Sequence, residues 1–319
     1  MSNPEIVHTP VLLQETLSYL APEKTHALMV DGTLGEGGHT DAFLSAYDGL
    51  HVIGIDADRE IQSRARDRLV KYGERIQFYQ GWSDVFFNEY PKDAQRPDII
   101  LFDLGISLFH YEKSGRGFSF RSDEPLDMRL DPDSGRSAAD LVNTLPETEL
   151  ADLIYQYGEE RYSRRIAKAV CAMRHTAQFK TAKSLADCIW HAVPAEYRHG
   201  HIHPATKTFQ ALRIAVNDEL NRLPRLLAAA FTVLASDGRM GVITFHSLED
   251  RIVKNYFRDM SKACTCPPNV PICKCGGRPK ASLLTKKAVS PSDAEVSRNL
   301  PSRSARLRVI RKIAYEDKN

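Results

Sequence analysis

Along the first hundred residues, short apolar runs alternate with segments whose apolar positions recur every three or four residues. The runs "HALMVD" (26–31), "HVIGID" (51–56), "RIQFYQ" (75–80) and "PDIILFD" (97–103) are short and continuous, as expected of strands covered on both faces. The segment "ADREIQSRARDRLVKYG" spaces Ile61, Ala65, Arg68 or Leu69, and Tyr72 along one helical stripe and places the other charges elsewhere. "PVLLQETLSYL" (10–20) carries the same period behind a proline suited to a first helical turn. Parallel strands need crossover connections, so this alternation predicts an α/β, doubly wound sheet with helices packed on it.

The rhythm stops at about residue 104 and returns at about 206. The intervening "SAADLVNTLPETELADLIYQYGEERYSRRIAKAVCAMRH" and "TAKSLADCIWHAV" are helical in pattern, with Thr144 to Glu147 and Ser184 to Asp187 as candidate capping boxes. This predicts one domain from residues 1–105 and 206–319, and an inserted helical domain at 106–205. A long helical pattern at 208–235, broken at Pro224, then leads to a strand at 239–245, a helix, and a half-buried last strand at 304–313.

Composition adds little until it is resolved along the chain. With 42% hydrophobic residues in 319, the chain can bury a large core. No apolar run approaches the ~18 residues of a membrane span, and "MSNPEIVHTPVLL" lacks the features of a secretory signal, so a cytoplasmic location is expected. The net charge of +2 conceals an asymmetry. From Arg251 onward 16 lysines and arginines face 5 acids, a charge of +11 against −9 for the remainder, which suits either a nucleic-acid surface or a solvated tail.

Candidate chemistry concentrates where the first strand ends. In "VDGTLGEGGHTDAFL" (30–44), Asp31 closes the strand and Gly35, Gly37 and Gly38 open the next helix, the place where a parallel sheet leaves a crevice for a nucleotide-like ligand. Asp56 ends the next strand at the distance in sequence where a carboxylate can accept both hydroxyls of an adenosine ribose. A phosphate cradle would need G-x-x-x-x-G-K-[ST], yet no lysine occurs between Lys24 and Lys71. The G-x-G-G spacing also departs from a dinucleotide fingerprint. S-adenosylmethionine, with its cationic sulfonium, fits acidic partners better, although glycines that only form a tight turn remain an alternative. Asp103 ends the fourth strand beside Asp31 and can act on a substrate amine or hold the cofactor alone.

The cysteines divide into two sets. Cys171 and Cys188 fall in helical segments and are expected in the core. Cys264-x-Cys266 and Cys273-x-Cys275 could bind zinc, but the short spacing is atypical and a metal-free loop is the plainer expectation. His199, His201 and His203 read as a helix approach and no metal site is assigned to them.

Taken in order, "HTPVLLQE", "DGTLGEGGHT", "DLGIS", "RGFSF", "PLDMR", "YGEERYSRRIAKAV", "HPATKTFQALRIAVNDEL", "FHSLEDRIVK" and "SRSARLR" make the chain resemble the MraW family from about His8 to Arg311. The resemblance implies a Rossmann-like class I methyltransferase fold with an inserted helical substrate-recognition domain. It implies S-adenosyl-L-methionine as donor, and as substrate the exocyclic N4 of one cytidine in the decoding region of small-subunit (16S) ribosomal RNA. The partner implied is that RNA within the assembled small subunit, with no membrane; a homodimer is left open. By position the resemblance assigns cofactor contacts to Gly37, Gly38, His39, Asp56, Trp82, Asp103 and His110, and no metal. Trp82 replaces a phenylalanine usual in the family, and His110 stands where the family usually has glutamine. Our choice for the catalytic acceptor near the amine is Asp103. Candidates to hold the base are "RGFSF" (116–120), Arg213 and His246, and "ERYSRRIAK" (160–168) is a candidate for RNA recognition. A small-molecule or protein methyltransferase, and a catalytically silent RNA-binding protein, are the competing classes.

Overall fold

The computed structural model describes residues 9–133, 135–200, 202–264, 266 and 277–315. Its strands are β1 (Leu28–Asp31), β2 (His51–Asp56), β3 (Ile76–Gln80), β4 (Ile99–Asp103), β5 (Arg239–Thr244), β6 (Ala281–Leu283) and β7 (Arg306–Lys312). They form one sheet in the order β3-β2-β1-β4-β5-β7-β6. The five strands from β3 to β5 are parallel, and β7 runs antiparallel to both of its neighbours. The α/β expectation therefore holds, and the first four strands lie within two residues of their expected bounds. β6 was not anticipated, because three residues carry no readable period.

The continuous apolar runs are explained by burial on both faces. One face packs Met29, Val52, Leu101 and Leu307 against the helix Gly38–Ala46; the other packs Val30, Ile100, Phe102 and Val242 against the helix Glu219–Val233. β7 is not half-buried as expected, because Leu307 and Val309 enter one core while Ile310 enters the other.

The chain divides into two compact units, one made of residues up to Gly105 and from Asn221 on, the other of Ile106–Leu220. The second unit is helical and has its own core, which includes Leu150, Ile154, Ile166, Val170, Leu185 and Ile189. The second unit runs past the expected return to the sheet domain at 206. The helix Ala205–Val216 packs on Glu147–Gly158, and Phe209 and Leu212 join the second unit's core.

Helix ends differ from expectation in three places. The pattern at 208–235 breaks at Asn217–Asp218, where Asp218 takes φ 53°, and Pro224 lies inside the helix that follows. Thr144 ends the helix Ala138–Thr144 and is no cap; Pro146 precedes the next helix. The helix Ala182–Ala192 is capped by Thr181, whose hydroxyl accepts from Ser184 N, while a capping box forms at Ser137 with Asp140. No helix among the described residues is long and apolar enough to cross a membrane.

Candidate functional site

The chain leaves β1 toward β2 on one side and later returns to β4 on the other, so the carboxyl ends of β1 and β4 form a topological switch point. Asp31 on β1 pairs in register with Gly54 and Leu101, and the two flanking strands run two residues further to end in Asp56 and Asp103. The sheet itself thus brings three acids to one edge.

Asp31 is 2% exposed and accepts from Thr40 Oγ1 at 2.7 Å and Thr33 N at 3.3 Å. Burial pushes its pKa up to about 6, against those two hydrogen bonds, and the nearby Asp56 charge adds to the rise. Asp103 is raised further, to about 7, by burial first and then by the charge of Asp31, with Glu249 adding to it and the Gly105 backbone opposing. Its backbone N–H donates to Thr33 Oγ1 at 2.5 Å, and its Oδ1 is buried without a hydrogen-bond partner among the described residues. Two acids that repel each other, one with an unsatisfied oxygen, make a site short of positive charge. That is the environment a sulfonium and an amine donor would relieve.

The glycine loop is built by the protein's own packing as much as by any ligand. Gly37 takes φ 77° as the left-handed N-cap of Gly38–Ala46, and a Cβ there would meet Leu69 Cδ1 at 2.8 Å. A Cβ on Gly38 would meet Pro10 Cγ at 2.6 Å. Gly35 alone faces open space, with Ile61 Cδ1 at 4.0 Å, and its N–H donates to Asp56 Oδ2 at 2.8 Å. Asp56 Oδ1 accepts from Asp58 N at 2.9 Å, and a carboxylate has further lone pairs for vicinal hydroxyls.

His39 is 6% exposed, with Nε2 3.1 Å from Val11 O and Nδ1 3.8 Å from Asp103 Oδ2. It therefore lies near Asp103 as well as in the loop. Trp82 caps the helix Ser83–Asn88, and the Arg222 guanidinium covers one face of its indole at 4.2 Å from the ring centre. Arg222 is held in turn by Asp84 at 2.8 Å.

His110 belongs to the second unit, in the short helix Leu108–Glu112, where its buried ring packs with Phe109 and Phe118. The candidates for holding a base in that unit have structural partners as well. Phe118 is 5% exposed, and Phe120 packs on His203 and Phe209. Arg213 forms a bidentate pair with Glu219 at 3.0 and 2.9 Å. His246, in the first unit, lies 3.0 Å from Glu249 Oε1. His203 stacks against Phe120 and Trp190, and its Nδ1 accepts from Ala205 N, a role at a helix start as expected. On Ser163–Arg174, by contrast, Arg164, Arg165 and Lys168 point outward.

Cys171 and Cys188 are buried in the second core as expected, and burial lifts the Cys188 thiol to about 11. Of the four clustered cysteines, Cys273 and Cys275 lie outside the described residues. Sequence reasoning missed Thr33 and Thr40, whose hydroxyls hold the two acids; "DGT" and "HT" were the available signals.

Comparison with known proteins agrees with the resemblance. The chain is 67% identical over 311 residues to a protein of Treponema denticola named ribosomal RNA small subunit methyltransferase H, covering 98% of this chain and 99% of the relative. The protein of the same name from Treponema pallidum is 48% identical, with 97% and 93% covered. A solved rRNA methylase from Streptococcus thermophilus aligns over 95% of this chain and 94% of its own, at a TM-score of 0.40 and 8% identity, too distant to add to the assignment. The model of the MraW methylase family matches residues 5–313, nearly the whole length, so the chain belongs to the MraW methylase family.

Proposed function

We propose that this chain methylates small-subunit ribosomal RNA, at the exocyclic N4 of a cytidine in the decoding region, with S-adenosyl-L-methionine as donor. The observation that carries this reading is the pair of buried acids Asp31 and Asp103 at the switch point, the second with an unsatisfied oxygen. Family membership and the shared name of the relatives support the methyl-transfer chemistry and the class of RNA. When bound, S-adenosylmethionine supplies an electrophilic methyl group on a sulfonium.

The chain's own groups then have distinct tasks. Asp56 accepts the ribose hydroxyls, the Gly35 to Gly38 backbone lies along the cofactor, and the Trp82 indole packs on the adenine. Asp31 balances the cationic end. Asp103 accepts a hydrogen bond from the substrate amine, which counters delocalisation of the nitrogen lone pair into the ring, and takes the proton that the amine must lose. His110 is assigned to the cofactor by resemblance, and the second unit to RNA recognition. The setting is the cytoplasm, with the assembled small subunit as the substrate form; a homodimer is compatible with these roles.

Labelled methyl transfer tests the reading. Undermethylated small subunits and the same RNA stripped of protein are offered separately, beside a protein extract free of ribosomes. Transfer to the subunit supports both the RNA class and the assembled form, transfer to free RNA alone corrects the second, and transfer only to the extract overturns the first.

A further inference from the structure

We propose that His39 is the positioning partner of Asp103: a ring locked by the N-terminal strap into one tautomer, so that it receives through Asp103 the proton released from the substrate amine. This inference rests on the assignment of Asp103 made above, and it gives His39 a task different from the cofactor contact that resemblance assigned.

The strap comprises residues 9–12. Asn299 Nδ2 donates to Thr9 O at 3.0 Å, Glu295 Oε1 accepts from Leu12 N at 2.7 Å, and Leu12 is turned at φ 52°. Pro10 packs where Gly38 has no side chain. Between these fixed points the Val11 carbonyl faces His39 Nε2 at 3.1 Å. A carbonyl oxygen only accepts, so Nε2 carries a hydrogen whether the ring is neutral or charged. The neutral ring therefore keeps its lone pair on Nδ1, the atom 3.8 Å from Asp103 Oδ2. That separation exceeds a hydrogen bond and is within the range that closes when a site fills.

The surrounding charges favour keeping a proton on this pair. Asp31 on β1 and Glu249 on the helix Ser247–Met260 both disfavour an anionic Asp103. Among the described residues, Arg68 on the helix Arg59–Leu69 is a nearby cation, its Nη1 3.6 Å from where a Cβ of Gly38 would stand.

The step balances as follows. The N4 lone pair forms the new bond to the methyl carbon, and the pair of the breaking C–S bond stays on sulfur as a neutral thioether. The nitrogen, now cationic, loses one N–H proton to the Asp103 carboxylate, and the N–H electrons return to nitrogen. Asp103 passes the proton to His39 Nδ1, giving an imidazolium beside a carboxylate, from which it leaves to solvent.

Nitrogen NMR of histidine-labelled, cofactor-free protein tests the locked tautomer without any change at His39. A neutral His39 with hydrogen on Nε2, and a titration midpoint that falls in Asp103→Asn, are expected; hydrogen on Nδ1, or a midpoint indifferent to Asp103, overturns the inference. The kinetic arm uses His39→Gln, whose amide can still donate to Val11 O but cannot take a proton. Its single-turnover rate should fall at least ~tenfold across the neutral range while cofactor affinity changes less than ~threefold. Weaker cofactor binding with an unchanged single-turnover rate makes His39 a cofactor contact only. If Asp103→Asn is inactive and His39→Gln is not, the His39 role fails alone; if Asp103→Asn turns over normally, the assignment of Asp103 fails first.

Discussion

At the scale of single residues, the site is governed by charge that the protein does not neutralise. Asp31 and Asp103, raised to about 6 and about 7, keep protons that an unfolded chain would give up near 3.8. Their protonated forms favour the folded state, so this contribution is complete below pH ~4 and is lost as pH rises through 6 to 7. A cationic ligand reverses the preference, because it favours both carboxylates. S-adenosylmethionine should therefore bind more tightly as pH rises from 5.5 to 8 and should expel protons on binding. Calorimetry in two buffers of different ionisation heat measures this, and the neutral product S-adenosylhomocysteine should show a shallower slope; affinity independent of pH counts against the assignment. The glycines were legible as a cofactor loop, but their individual reasons were not. Gly37→Ala should cost about 1–3 kcal/mol in urea unfolding, from its left-handed φ and the Leu69 contact. Gly35→Ala, in open space, should cost less.

At the scale of elements, what could be read from sequence was what is local. β1 to β4 announced themselves because burial on both faces leaves no polar position to interrupt the run. Caps were misread because S/T-x-x-E or S/T-x-x-D patterns occur wherever polar residues cluster, while the true ends follow packing and a turn such as Asp218. The basic tail also looks different once its elements are placed. Arg308 holds Asp250 at 2.8 and 3.0 Å, and Lys312 Nζ donates to the carbonyls of Phe231, Thr232 and Leu234 at the end of a helix. Part of the +11 thus fastens β7 to the fold. Asp250→Ala leaves the Arg308 guanidinium, 12% exposed, without its bidentate partner and should destabilise by about 3 kcal/mol in urea unfolding. A change below about 0.5 kcal/mol would mean that water already satisfies the pair.

At the scale of the whole molecule, sequence showed that a helical unit interrupts the sheet but not where it ends, since the helix Ala205–Val216 has the same period whichever unit it joins. The strap was invisible for a different reason: its contact with Glu295 spans 283 positions and has no local signature. Arg164, Arg165 and Lys168 are exposed on the helix Ser163–Arg174, in the unit proposed above to recognise RNA. Replacing Arg164, Arg165 and Lys168 together by alanine should weaken rRNA binding and reduce the salt slope by up to about 3, with cofactor affinity unchanged. An unaltered slope would place the RNA elsewhere. The most direct measurement is mass mapping of small-subunit rRNA after incubation of undermethylated subunits with enzyme and S-adenosylmethionine, with Asp103→Asn in parallel. One decoding-region cytidine should gain a single methyl group on N4 with the native enzyme and none with the variant. A methyl on another atom or nucleotide, or equal transfer by the variant, would contradict the assignment of this site.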